Sequence, residues 1–220
     1  MKKEDLQIFD RWAQTYDQNV HTAENSSDWM YRHYTEILRA VVNRLKDSHV
    51  EKKTGIVIDI GSGTGNLTTE LVKEGYCVIG LEPSCKMRQK FKKKLPVAQV
   101  VAGEFLSIPL KNTSVDALVS SYAWHHLTGT EKISSIIEMK RVLKPKGLVI
   151  IADLMFENEK ERKRIISVLK NSNKENIIAD IESEYYADVS LLAQHFNLNG
   201  FTFESMRLTE FVWLIEAHLN

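Results

Sequence analysis

A glycine loop between an apolar run and a helix-forming run constrains the fold of this chain more than any other feature. The apolar run, 56–60, is rich in β-branched residues, and Gly61, Gly63 and Gly65 follow it at two-residue spacing. Helix-forming residues begin at Leu67. Glycine permits a tight turn and the close approach of a ligand, and the N-terminus of the next helix offers unpaired N–H groups to a negative group. The loop therefore predicts a site for a nucleotide-type cofactor.

Short apolar runs alternate with amphipathic runs from residue 55 onward. The strand candidates are 56–60, 77–81, 97–102, 115–121 and 147–153. The helix candidates between them are 66–74, 84–94 and 130–142. Continuous apolar strands that alternate with helices are typical of a parallel sheet covered on both faces. We therefore expect an α/β fold.

The flanking segments complete this expectation. Helical periodicity predicts helices over 4–20 and 29–46 before the core, and over 157–170 and 188–197 after it. The last two predicted strands are about 200–207 and 210–217. Only two or three residues link them, so they should form an antiparallel hairpin. We expect a seven-stranded, mostly parallel sheet that ends in this hairpin, with helices on both faces.

Composition limits the kind of partner. Lysine plus arginine number 29, as do aspartate plus glutamate, so no global field steers the chain onto nucleic acid or an anionic membrane. The first residues lack the apolar run of a signal peptide, and no stretch has the roughly 20 apolar residues of a membrane span. Two cysteines give no disulfide framework, and Cys77 is expected in the core. We expect a cytoplasmic protein.

Glu82 helps to decide which cofactor class the loop serves. The third glycine comes one residue too early for the dinucleotide pattern G-x-G-x-x-G, and no Gly-Lys-Ser/Thr element of a P-loop occurs. Glu82 ends the second apolar run, where an acidic residue can accept hydrogen bonds from both hydroxyls of a ribose. Alternatively, its charge stabilises the N-terminus of the helix that Pro83 opens.

Several segments together resemble the motifs of one enzyme family. They are 57–65, 81–84, 103–110, 116–121 and 141–147, the last with Lys146 where the family's turn has a glycine. On these segments the chain resembles the class I S-adenosylmethionine-dependent methyltransferases. Segments 12–17, 63–68, 120–128 and 210–213 are similar to the YrrT-type methyltransferases of bacteria, a group without a characterised substrate.

The resemblance implies a Rossmann-like domain over 1–220 that uses S-adenosyl-L-methionine. Within it we expect an N-terminal helical cap (1–50), a cofactor-binding core (55–153) and acceptor-side helices with the terminal hairpin (154–220). The cofactor-binding residues that it implies, together with the spacing of the loop, are Gly61, Ser62, Gly63 and Gly65 for the methionine part, Asp59 for its ammonium, Glu82 for the ribose, Glu104 for the adenine amino group and Tyr16 as a lid. Alternatively, Asp59 holds the loop in place. The N-terminal aromatic residues have an alternative role too, which is to pack on the sheet.

The segment after the fourth strand is where we expect the methyl acceptor. It places His125 and His126 near the rim of the pocket, and either could act as a general base because histidine titrates near neutral pH. In the resembled family this element also binds the cofactor or shapes the pocket. Tyr185 and Tyr186 belong to the segment expected to form a second wall. We expect no metal, because adjacent histidines cannot share a helix face and no HxxxH or C-x-x-C spacing occurs.

Four functions remain open at this point. The first is a methyltransferase for a small-molecule acceptor, without nucleic acid or membrane as partner and acting as a monomer or homodimer. The others are a protein or nucleic-acid methyltransferase, a non-catalytic module that binds S-adenosylmethionine or S-adenosylhomocysteine, and a dinucleotide oxidoreductase. Neutral charge disfavours the nucleic-acid reading. Glycine spacing and the terminal hairpin disfavour the oxidoreductase.

Overall fold

A computed structural model describes residues 3–26 and 28–220 of the chain. The strands are β1 (Ile56–Ile60), β2 (Cys77–Leu81), β3 (Gln99–Val101), β4 (Val115–Ser121), β5 (Leu143–Phe156), β6 (Ala187–Asp188), β7 (Phe201–Arg207) and β8 (Val212–Leu219). The helices are α1 (Lys3–Trp12), α2 (Tyr16–Glu24), α3 (Tyr34–Asp47), α4 (Asn66–Lys73), α5 (Cys85–Lys94), α6 (Gly129–Val142), α7 (Glu159–Asn171), α8 (Glu175–Ser183) and α9 (Val189–Leu198), with a 3-10 turn at Trp124–His126.

The strands form one sheet in the order β3-β2-β1-β4-β5-β8-β7, and the two-residue β6 pairs with β5. Neighbours from β3 to β5 run parallel, whereas β8 is antiparallel to both β5 and β7. The expected α/β fold, a mostly parallel sheet with a terminal hairpin, is confirmed. The strand order reverses between β1 and β4, and in open α/β sheets ligands bind at such a point, beyond the carboxyl ends of the strands.

Two apolar clusters pack on the sheet. One includes Ile37, Val41 and Leu45 of α3, which recur every four residues and so lie on one helix face. The other includes Ile136 of α6 and Phe196 of α9. Each such side chain is buried and stabilises the fold by roughly 1.5–3 kcal/mol. Within 3–26 and 28–220, no helix combines the length and apolar character needed to cross a bilayer.

The prediction of a single helix over 4–20 is wrong, because residues 13–15 form a turn between α1 and α2. This turn lets Asp10 reach the start of α5 while Asp17 reaches the glycine loop. The second helix begins at Tyr34 rather than at residue 29. Before it, Asp28 Oδ1 accepts hydrogen bonds from the backbone N–H groups of Met30 and Tyr31, which favours a turn over a helix.

Further differences lie in the second half of the chain. β5 begins four residues before the predicted strand and ends three after it, and Lys146 adopts a left-handed φ of 64°, the conformation that glycine favours at this turn. The link of the hairpin, 208–211, is longer than predicted, and α8 was not predicted at all. Cys77 is exposed rather than in the core, because it is the first residue of β2, at the edge of the buried part of that strand.

Candidate functional site

The glycine loop follows β1 at the reversal point of the sheet. The backbone N–H groups of Gly61 and Ser62 both donate to the carbonyl oxygen of Leu81, at 2.9 and 3.0 Å, which ties the loop to the end of β2. Gly61, Gly63 and Gly65 all have positive φ, of 71°, 54° and 89°. The loop then passes directly into α4, so the predicted strand–loop–helix unit is present at the expected edge of the sheet.

Gly61 and Gly63 differ in what surrounds them. A Cβ on Gly61 would lie 2.4 Å from the Cβ of Ala123, which is closer than two carbon atoms can approach. A Cβ on Gly63 would meet no atom within 4 Å among the described residues, so this side of the loop is open. The loop therefore packs tightly against the segment after β4 and presents bare backbone on its other side.

Glu82 lies immediately after β2 with its carboxylate turned toward the loop. Oε2 accepts a hydrogen bond from the backbone N–H of Gly63 at 2.9 Å, and Oε1 accepts one from the N–H of Ser84 at 2.7 Å. The side chain is 5% exposed, and burial raises its pKa to about 7. Both proposed roles of Glu82 thus fit its position: it lies beside the loop, and it also binds the backbone at the start of α5.

Asp59 and Ser62 line the same crevice as the loop. Asp59 Oδ2 accepts a hydrogen bond from Thr68 Oγ1 of α4 at 2.6 Å, and burial raises the pKa of Asp59 to about 7. Ser62 Oγ is buried and has no hydrogen-bond partner among the described residues. A buried hydroxyl without a partner costs roughly 1–3 kcal/mol, and the Ser62 oxygen lies beside Gly80 of β2, 2.7 Å from the position of a Cβ there.

The N-terminal helices cover this crevice. Tyr16 lines it, and burial raises the pKa of the Tyr16 hydroxyl well above its ordinary value. On the outside, Asp17 accepts a hydrogen bond from Thr64 Oγ1 at 2.5 Å and forms an ion pair with Lys94 at 2.6 Å. The remaining space in the crevice is about 30 Å³, about enough for one water molecule. A nucleotide-sized ligand needs far more space than this, so the crevice has to widen before such a ligand can enter.

Glu104 lies in the turn after β3. Its backbone N–H and carbonyl group pair with those of Ser107, which closes the turn. The neighbouring Phe105 ring lies 3.9 Å from the Cβ position of Gly61, so the turn packs beside the glycine loop. The structure thus places Glu104 in a loop adjacent to the crevice, and its contact with an adenine amino group stays a prediction.

On the other side of the crevice, Asp153 of β5 organises the 3-10 turn that carries the two histidines. Asp153 Oδ2 accepts hydrogen bonds from the backbone N–H groups of Ala123, Trp124 and His125 at 3.2, 2.6 and 3.1 Å. Asp153 Oδ1 lies 2.5 Å from His125 Nδ1. Burial alone acts to raise the pKa of Asp153, but His125, the backbone N–H of Leu154 and the charge of Lys132 hold it below its ordinary value. His125 is thereby fixed in orientation, with Nδ1 occupied.

His126 forms a second pair with a carboxylate, and this pair is partly buried. Its Nδ1 lies 3.0 Å from Oε2 of Glu184, which follows α8. Its ring packs edge-on against Phe9 of α1, with the ring centroids 4.9 Å apart. Burial and the neighbouring His125 lower the pKa of His126. Two histidine–carboxylate pairs thus lie side by side beneath the N-terminal cap.

Lys132 and the segment at Tyr185 hold this side of the site together. Lys132 Nζ is buried and donates to the carbonyl oxygens of Leu127 and Tyr185, and burial lowers the pKa of Lys132 to about 8. The N–H of Tyr185 donates to the carbonyl oxygen of His125 at 3.0 Å. Tyr185 itself is exposed, whereas the Tyr186 ring packs against His125 with a centroid distance of 6.0 Å. Of the two predicted wall residues, Tyr186 therefore contacts the histidine segment with its ring.

Sequence reasoning missed Glu184, Asp153 and Lys132 as residues of this site. Glu184 is 58 positions from its partner His126 and follows a helix that was not predicted. Asp153 had a detectable signal in the sequence. An aspartate at the end of an apolar strand is buried, and a buried carboxylate needs hydrogen-bond donors around it. Lys132 lies in an ordinary amphipathic helix, α6, and nothing in the sequence sets it apart.

Contrary to one premise of the expectation that no metal binds, the two adjacent histidines lie close together. The two histidines occupy a 3-10 turn rather than a helix face, and their ring centroids are 4.0 Å apart. With Glu184 they offer ligand atoms that all lie within 4.8 Å of one another. Adjacent histidines therefore share a site here, because the tight turn and the Asp153 contact direct both rings to the same region.

Comparisons with known proteins agree with this geometry. Residues 58–151 match the model of a methyltransferase domain. An uncharacterised methyltransferase of Alkaliphilus oremlandii is 36% identical over 211 residues, which cover 96% of this chain and 95% of that protein.

Solved structures show the same fold at low identity. A methyltransferase in complex with the Haloferax volcanii activator Trm112 superposes with a TM-score of 0.70 at 19% identity, covering 96% of each chain. A complex of DhpI with SAM and HEP has a TM-score of 0.69 at 14% identity, covering 97% of this chain and 95% of that one. With the strand order, the glycine loop and the identity to its relatives, the chain belongs to the class I S-adenosylmethionine-dependent methyltransferases.

Proposed function

We propose that this protein transfers a methyl group from S-adenosyl-L-methionine to a small-molecule acceptor. The observation that carries the proposal is the buried carboxylate of Glu82, held against the open glycine loop at the reversal point of the sheet. A carboxylate at this place suits a ribose diol, and beside it the loop presents open backbone at Gly63. Both features support an adenosine-containing ligand in the crevice.

The bound cofactor would supply a methyl group on a sulfonium, which is already a strong electrophile. The protein then has to hold the acceptor in line with the methyl group, exclude water and assist the loss of a proton where the acceptor carries one. We assign Gly61, Gly63 and Gly65 to contacts of the backbone with the methionine part. Glu82 binds the ribose, and Tyr16 closes the crevice from the N-terminal side.

Further contacts of the cofactor follow from the residues around the loop. We assign Asp59 to the ammonium group of the methionine part and Ser62 to a polar contact within the crevice, since both line it. We assign Glu104 to the adenine amino group, because its turn packs beside the loop. These assignments are independent of one another and can be tested by single substitutions.

On the acceptor side we assign His125 and His126 to binding and activation of the acceptor. Asp153 fixes His125, and Glu184 pairs with His126, so the two imidazoles are oriented before an acceptor arrives. The surroundings favour a small acceptor, because Phe9, Tyr186 and the N-terminal helices enclose this region. The aromatic rings supply flat apolar surfaces, whereas the imidazoles and carboxylates supply the polar contacts.

Calorimetric titration with S-adenosylmethionine, S-adenosylhomocysteine and NAD tests the cofactor. We expect the first two to bind and NAD not to bind, and binding of NAD without the others would contradict the proposal. A screen of metabolite extracts with a labelled methyl donor then tests the transfer. Label in a small molecule supports the proposal. Label confined to protein or nucleic acid, or binding without any transfer, would favour one of the alternative functions.

A further inference from the structure

The cluster of His125, His126 and Glu184 combines two imidazoles and one carboxylate, a set of ligands found in catalytic zinc sites. We propose that these three residues bind a divalent transition metal, of which Zn²⁺ is the best match, on the acceptor side of the crevice. This site lies outside the cofactor contacts assigned above. Two imidazoles and a carboxylate leave further coordination positions for water or an acceptor atom.

The distances fit a shared ion. Two ligand atoms that bind one Zn²⁺ at about 2.0–2.1 Å lie about 2.9–3.4 Å apart for angles between 90° and tetrahedral. His126 Nδ1 and Glu184 Oε2 are 3.0 Å apart. The His125 and His126 rings lie close to each other, and the candidate ligand atoms of all three residues fall within 4.8 Å. Small rotations of side chains therefore suffice to bring three donors to one ion.

The surroundings of His125 support the proposal independently. A histidine that binds a metal usually donates its other ring N–H to a carboxylate or carbonyl group, which fixes the ring. Asp153 provides this contact, since its Oδ1 lies 2.5 Å from His125 Nδ1. Nε2 is then the nitrogen available to a metal. Asp153 is buried and holds three backbone N–H groups as well, so the ring orientation is built into the fold.

A further polar group lies beside the cluster. Tyr186 Oη is buried without a hydrogen-bond partner among the described residues, and its ring packs against His125. Such a hydroxyl is suited to donate to a water or an acceptor atom bound to the ion. The side chains of His126 and Glu184 are 20% and 26% exposed, which leaves a path by which an ion can enter.

The ion would bind the acceptor through the atom that receives the methyl group. Coordination lowers the pKa of a bound hydroxyl or thiol, so its proton leaves to solvent. The freed lone pair then forms a bond to the methyl carbon, while the bond from that carbon to the cofactor sulfur breaks and leaves its electron pair on sulfur. This role rests on the proposed methyl transfer, whereas binding of the ion does not.

Metal binding is tested on the full-length protein after treatment with a chelator. Co²⁺ serves as a spectroscopic probe, and equilibrium dialysis with Zn²⁺ gives affinity and stoichiometry. We expect one ion per chain. Glu184→Gln and His126→Gln should each lower the affinity at least tenfold, and Asp153→Asn should lower it by about 10- to 100-fold, the range for partners of metal-binding histidines.

His218→Gln is the matched control. His218 also pairs with a carboxylate, since its Nε2 lies 2.8 Å from Glu216 Oε1, but it belongs to β8 and not to the cluster. The His218→Gln variant should bind the ion with the same affinity as the unchanged protein. Failure of the unchanged protein to bind Zn²⁺ or Co²⁺, or equal binding by the His126→Gln, Glu184→Gln and control variants, would overturn the proposal. Binding of S-adenosylhomocysteine in calorimetry on the same samples shows that a variant is folded, and transfer of the labelled methyl group tests the proposed function separately.

Discussion

The two sides of the crevice are built in different ways. On the cofactor side, the glycine loop and Glu82 are about twenty residues apart in the chain and are joined mainly through backbone groups. On the acceptor side, His125, Asp153 and Glu184 come from three distant segments and are joined through side chains. The cofactor side therefore depends on backbone conformation, whereas the acceptor side depends on a network of charged and polar side chains.

This difference suggests that the two sides can be damaged separately. Substitutions in the side-chain network should affect stability, or the acceptor, without changing cofactor affinity by the same amount. Substitutions in the loop should change cofactor affinity more than they change stability or the acceptor. Gly61 and Ala123 are the exception, because the loop and the histidine segment are in direct contact there.

The largest effect is expected at Asp153. Asp153→Ala should lower the free energy of unfolding by roughly 3–5 kcal/mol, the usual cost of removing one partner of a buried ion pair. It also leaves four backbone N–H groups, those of Ala123, Trp124, His125 and Leu154, without this acceptor. Urea unfolding measures the loss. Asp180→Ala, at an exposed position of α8, is the control and should change stability by less than about 0.5 kcal/mol. Equal stabilities of the two variants would show that Asp153 does not organise the acceptor side.

The contact between the two sides is tested at Gly61. Gly61→Ala introduces a Cβ 2.4 Å from that of Ala123 at a φ of +71°, and should destabilise the protein by about 1–3 kcal/mol. Adding Ala123→Gly removes the clash but not the strain of the positive φ. The double variant should therefore recover part of the loss in thermal unfolding. If Ala123→Gly rescues nothing, the two sides are not in contact here.

The pH dependence of cofactor binding separates the two sides further. Burial raises the pKa of Glu82 to about 7, and a ribose diol needs the ionised form as acceptor. Affinity for S-adenosylhomocysteine should therefore fall by up to about tenfold per pH unit below 7 and level off above it. Asp59 has a similar pKa and adds to the trend.

The stability of the free protein should change in the opposite direction. With a pKa near 7 when folded and near 4.5 when unfolded, Glu82 binds more protons in the folded state between these values. Its contribution to stability is thus present below pH 4.5 and is lost as the pH rises through 7. Glu82→Gln should weaken both trends, and a pH profile identical to that of the unchanged protein would contradict the assignment.

The smallest effect concerns the cap over the cofactor side. Asp17→Asn removes the partly exposed ion pair with Lys94, so stability should change by less than about 1 kcal/mol. We propose that the cap moves to admit the cofactor, and the association rate measured by stopped flow should then increase in this variant. Glu70→Gln removes the Glu70–Lys73 ion pair on α4, outside the cap, and should leave the rate unchanged. A slower rate in Asp17→Asn would show that the cap does not limit entry.

The same difference explains what the sequence could reveal. Gly61 to Gly65 and Glu82 form short patterns that directly reflect backbone geometry, so the position of the loop beside Glu82 and the sheet were predictable. Glu184 depends on how α8 returns to the histidines, which is a property of tertiary packing. The break between α1 and α2 at residues 13–15 is also a property of tertiary packing. Asp10 contacts the start of α5 and Asp17 contacts the loop, and these contacts override the continuous helical periodicity of the sequence.

Calorimetric titration of Glu82→Ala and Glu184→Gln with S-adenosylhomocysteine tests most directly the claim that the cofactor is bound by the loop side alone. Loss of hydrogen bonds to a charged group should cost Glu82→Ala roughly 1.5–3 kcal/mol, about 10- to 150-fold in affinity. Glu184→Gln should bind as tightly as the unchanged protein. Unchanged affinity in Glu82→Ala, or an equal loss in both variants, would contradict this account.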